Sequence, residues 1–197
     1  MNILKIIGKF FGGFFVLFGL TVLIMSFFGT YAVNNFNVLE ESISEKLNFD
    51  LSQIEAYCKE NPKDESCQSP LATIKQEIDQ FRYYGSAMRV LGFIFFVVGF
   101  LLLVWCSNWI DGLRQTSLIA LIGTGFSYFY YKYAIIGALT GFLPPEFLEI
   151  MIDWVNITLS KTLNVILVLG VIFLILTIWL YILKNKMKSS EKVSEKK

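Results

Sequence analysis

The chain has 197 residues, of which 55% are hydrophobic, 16% aromatic and only 17% charged, with a mean hydropathy of +0.58 and a formal net charge of +1. That balance excludes a soluble globular domain, and its near neutrality gives no reason to expect a nucleic-acid partner. Histidine is absent, which removes the usual general base and the commonest metal ligand.

Four runs are long and apolar enough to span a bilayer: 10–33, 90–110, 115–139 (interrupted by Lys132) and 162–183. They predict an all-α polytopic membrane protein, a four-transmembrane-helix bundle carrying a small disulfide-linked helical extracytoplasmic domain. The expected divisions are an N-terminus with the first span (1–33), the outer domain (34–86), the second span (87–110), a turn (111–116), the third span (117–140), an outer loop with an interfacial amphipathic helix (141–161), the fourth span (162–183) and a basic tail (184–197). Charge orients them. The termini and the short turn hold nine basic residues against three acidic ones, and the opposite side holds eight against thirteen. The positive-inside rule therefore places both termini in the cytoplasm of a cell membrane. The apolar core of the first span exceeds the roughly 7 to 15 residues of a signal peptide, so it is expected to remain as an anchor.

The first span carries Gly12, Gly19 and Ser26 at seven-residue spacing, and the second carries Gly85, Gly92, Gly99 and Cys106 at the same spacing. Small residues let helix backbones approach closely in lipid. Two matched stripes predict an antiparallel hairpin that sets Gly12 beside Cys106, Gly19 beside Gly99, and Ser26 beside Gly92. Between these spans the outer segment turns acidic. Its helix continues the first span, and Ser69-Pro70 supplies an N-cap and first helical residue for the next. Cys58 and Cys67, on the oxidising side with eight residues between them, are expected to form a structural disulfide.

Asp111-Gly112 is the expected turn between the second and third spans. The third span offers Thr116, Ala120, Thr124 and the pair Gly123 and Ser127 for close packing, then meets a tyrosine cluster that contains Lys132. An ionisable residue inside a span marks a functional position by default, although a lysine among tyrosines also snorkels to the headgroups. Gly137 and Gly141 follow before Pro144-Pro145 ends the helix. Asn156-Ile157-Thr158 is a possible glycosylation sequon, and the Lys-, Glu- and Ser-rich tail is expected to be disordered.

No Gly-rich phosphate loop, nucleophile elbow or zinc spacing occurs, so no catalytic residue, metal or cofactor is expected. Three functions fit what remains. The first is a non-catalytic protein that binds a membrane-protein partner or a second copy, through the outer domain or through its spans. The second is a small transporter or channel subunit using Lys132, and the third a thiol oxidoreductase. The layout of spans, with one cysteine pair in the larger outer loop, is similar to that of claudin-like proteins. The Trp and Gly-Leu-Trp residues that accompany the cysteines there are absent before Cys58, and this loop reads as helical, so the similarity is one of layout.

Overall fold

The computed structural model describes residues 3–47, 60, 70–142 and 144–194. Every element among them is helical. In order they are α1 (Ile3–Asn34), α2 (Phe36–Leu47), α3 (Pro70–Cys106), α4 (Trp109–Phe129), a π-helical turn (Tyr130–Ala134), α5 (Ile135–Phe142) and α6 (Pro145–Ser194). Three helices are long and apolar enough to cross a membrane: Ile3–Asn34, Arg82–Cys106 within α3, and Leu148–Met187 within α6. Helix is what such sequences must form in lipid, where each backbone N–H and C=O needs a partner inside its own segment. In the most apolar window of the last helix only 11% of residues are buried, so its surface is available to lipid or to another protein.

The element boundaries follow local chemistry. Proline opens α3 and α6, where its missing N–H is one of the helix's spare donors. Two boundaries differ from expectation. The connection after α3 lies at Ser107-Asn108, where Asn108 takes an extended N-cap conformation (φ −78°, ψ 157°) and its carbonyl accepts from the Gly112 N–H at 2.8 Å. Asp111 and Gly112 therefore belong to the first turn of α4; the glycine serves close packing, since a Cβ there would lie 2.6 Å from Val104 Cα. The expected interfacial helix and last span are one element, because neither Pro nor Gly interrupts residues 146–169 of α6. The same helix extends through the polar tail to Ser194, adding residues to a nucleus that the apolar segment already supplies.

The chain divides into two compact units. The first comprises residues 1–24, 89–130 and 164–197. Its core is Val16, Leu20, Ile24, Leu103, Ala120 and Ile166, with Thr116, Ser117 and Thr124 buried among them. Polar residues join α4 to α6: Ser117 Oγ donates to the Phe173 carbonyl at 3.1 Å and shares a 2.6 Å hydrogen bond with Thr177 Oγ1. Phe15 stacks on Phe95 at 5.7 Å and Phe96 meets Phe173 at 6.2 Å.

The second unit comprises residues 25–88 and 131–163. Around buried Tyr131, Val155 and Leu159, hydrogen bonds tie α6 to the end of α1. Trp154 Nε1 donates to the Ala32 carbonyl at 2.9 Å, and Lys161 Nζ donates to Asn35 Oδ1 at 2.5 Å. An exposed ion pair, Lys46 to Glu149 at 2.8 Å, links α2 to α6. Thr162 is fully buried and donates to the Thr158 carbonyl, whereas the Thr158 hydroxyl is buried without a partner among the described residues.

Candidate functional site

The polar chemistry of the first unit gathers where α3 ends and α4 begins. Cys106 closes α3, Asn108 caps α4 without a side-chain hydrogen bond, and Asp111 sits in the first turn, where a carboxylate complements the helix dipole. Lys184 of α6 donates to Asp111 Oδ1, and Arg114, one turn further along α4, lies 3.5 Å from the same oxygen. Lys5 and Lys9 of α1 complete the ring. Together these groups line a crevice of about 360 Å³ with four cations and one carboxylate. Ser107, Asn108 and Gln115 add uncharged hydrogen-bonding groups, and the half-buried Cys106 thiol borders it.

The hydrogen bond from Lys184, reinforced by the charges of Lys184, Arg114 and Lys9, holds the Asp111 carboxyl below its ordinary value of 3.8 and outweighs the opposing effect of burial. A depressed folded pKa fixes the sign of the linkage. The contribution to stability is complete above the ordinary value and is lost as the pH falls through the lower folded one. Asp111→Asn is therefore expected to be less stable than wild type by about 1 kcal/mol at pH 7, and the gap between the two melting curves in detergent should close as the pH falls below the ordinary carboxylate range.

The two small-residue stripes meet, but one heptad away from the expected register. A Cβ on Gly99 would lie 2.7 Å from the Gly12 carbonyl oxygen, and one on Gly92 would lie 2.9 Å from that of Gly19. In the second unit Ser26 Oγ donates to the Gly85 carbonyl at 2.7 Å. The pairs are thus Gly12 with Gly99, Gly19 with Gly92, and Ser26 with Gly85. Cys106 meets Gly8, a residue the sequence reading passed over.

Lys132 lies exposed in the π-helical turn with its ammonium 5.4 Å from the centroid of the Tyr133 ring. Asn156 is exposed on α6, but Thr158 of its sequon is buried, so the folded helix withdraws the hydroxyl that a glycosylation site presents. Cys58 and Cys67 lie outside the described residues. Among the described residues no group of three or more His, Cys, Asp or Glu side chains could hold a metal ion.

The crevice was missed because its residues come from three distant segments. The available signal was that Lys5, Lys9, Asp111, Arg114 and Lys184 all flank spans on one side. No family model matches the chain, and no curated protein or solved structure matches it either. Fold and site together define a class: an all-α chain with three helices long and apolar enough to cross a membrane, and a cationic crevice at the ends of those helices.

Proposed function

We propose that this chain is a non-catalytic integral membrane protein that binds the transmembrane helix of a partner membrane protein by lateral packing against α5. The observation that carries this reading is the contrast among its glycines. Gly12, Gly19, Gly92, Gly99 and Gly112 each have a neighbouring backbone where a side chain would begin, whereas Gly29, Gly125, Gly137 and Gly141 have nothing within 4 Å, and of these four only Gly137 and Gly141 are spaced as a pair. These two lie one turn apart on one face of α5, the small-xxx-small spacing that allows close helix approach in lipid.

In this reading the π-helical turn and its flanking helices form a further span, 117–140, the third in chain order, with Gly137 and Gly141 near its outer end. Both termini face the cytoplasm, and residues 34–86 form the outer domain, fastened by a Cys58–Cys67 disulfide. Lys132 acts as an anchor among interfacial tyrosines, which its exposure and its contact with Tyr133 favour over a transport role.

The test is purification of the full chain from its native membrane in mild detergent, followed by mass and composition analysis. Wild type is expected to carry a stoichiometric membrane protein. The variant Gly137→Leu/Gly141→Leu should lose it at least tenfold while melting within a few degrees of wild type, because its new side chains enter open space. A wild-type monomer with nothing bound rejects the reading, and a complex of two identical chains makes the occupant a second copy.

A further inference from the structure

We propose that the crevice formed by Lys5, Lys9, Arg114 and Lys184 at the start of α4 binds a phosphate-bearing anion, supplied as the headgroup of an anionic phospholipid. This inference is independent of the partner-binding reading. Three observations of the first unit carry it. The first is charge in a defined cavity: four cations surround about 360 Å³ with only Asp111 to balance them. Asp111 itself engages Lys184 and Arg114, while Lys5 and Lys9 enter no ion pair among the described residues.

The second observation is a set of unused donors. The leading N–H groups of a helix have no intrahelical acceptor, and the Asn108 side chain does not cap those of α4. A helix start beside a guanidinium and three ammonium groups is matched to phosphate, whose oxygens accept from both kinds of donor.

The third observation decides the source of the phosphate. The crevice lies where the candidate spans end: Ile3 begins one, Cys106 closes another, and Lys184 is three residues before the close of the third. Apolar surface for acyl chains stands beside it, since Ile3, Leu4, Ile6, Ile7 and Phe10 are all exposed. Trp105 and Trp109 are exposed at the same level, as expected of aromatic groups at headgroup depth. A soluble anion would use the donors and leave this apolar rim without a role.

The experiment is native mass spectrometry of the full chain in non-ionic detergent, titrated with phosphatidylglycerol, with phosphatidylcholine, and with inorganic phosphate as competitor. Phosphatidylglycerol is expected to bind at least tenfold more tightly than phosphatidylcholine, and millimolar inorganic phosphate should not displace it. The variant Lys5→Gln/Lys9→Gln should bind roughly thirtyfold more weakly, about fivefold for each lysine removed near an anionic headgroup. Lys186→Gln, which removes a cation outside the crevice, should bind as wild type does. Both variants are expected to melt as wild type does, because all three side chains are exposed. Displacement of the lipid by inorganic phosphate at comparable affinity would keep the anion site but assign it to a soluble phosphate. Equal binding of the two lipids, an unchanged Lys5→Gln/Lys9→Gln variant, or an equal loss in Lys186→Gln would each overturn the proposal.

Discussion

Leucine in place of Gly99 is expected to unseat α1 from α3 and to lower stability by about 3 kcal/mol or more, the upper range of overpacking a tight contact. The size of the effect follows from what the new side chain meets. Its Cβ alone would lie 2.6 Å from the Val16 backbone nitrogen and 2.7 Å from the Gly12 carbonyl oxygen. Neither atom can move without displacing its helix. Separation also forfeits van der Waals contact along the seam, the main attraction available between helices in lipid. Thermal unfolding in detergent gives the magnitude, and crosslinking gives the register. In a background without native cysteines, cysteines replacing Phe15 and Phe95, whose rings stack in wild type, should join through a short bifunctional reagent. Cysteines replacing Phe15 and Leu102, one heptad further along α3, should not. Crosslinking of the second pair alone would refute the register.

Alanine at Gly112 is the second large effect, expected at about 2 to 3 kcal/mol of destabilisation. Here the added methyl would lie 2.6 Å from Val104 Cα and 2.8 Å from its nitrogen, so α4 must retreat from the end of α3. Asp111 is carried with it and its hydrogen bond from Lys184 weakens. Two other positions on α4 calibrate the result. At Gly123 the Cβ would meet only the tips of Leu17 and Leu20, at 2.9 and 3.0 Å, which rotate aside. At Gly125 nothing lies within 4 Å, and alanine there should be neutral or stabilise by up to about 1 kcal/mol through helix propensity. Melting temperatures in the order Gly125→Ala, Gly123→Ala, Gly112→Ala from highest to lowest are expected; equal values for the three would show that the corner is not tight.

Composition and periodicity made the helices legible because lipid leaves the backbone few alternatives. The start of α3 at Pro70 was legible for the same kind of local reason. Register was not. A stripe repeated every seven residues fits its partner equally well after a shift of one heptad, so spacing alone leaves two solutions. The observed register engages all four small residues of α3, including Gly85 with Ser26 and Cys106 with Gly8. The expected register engages three and sets Gly85 against Val33. Counting Gly8, four residues before Gly12, distinguishes the two. The crevice was hidden for a different reason: charge sorting assigns Lys5, Arg114 and Lys184 to one side of a membrane but says nothing of which helices converge there. Asp-Gly reads as a turn in sequence because glycine permits chain reversal, but Gly112 instead serves a close crossing with Val104.

The repeating seam also bears on assembly. A newly inserted α3 can first encounter α1 in either register, and the two differ by a slide of about 10.5 Å along the helix axis. Both place small residues together, so dispersion forces discriminate poorly between them. In the observed alignment the Ser26 hydroxyl donates to the Gly85 carbonyl, whereas one heptad away Gly85 would face the branched side chain of Val33, so the end of the stripe distinguishes the two. Gly85 thereby acts as an index mark on a ruler whose other graduations are nearly identical.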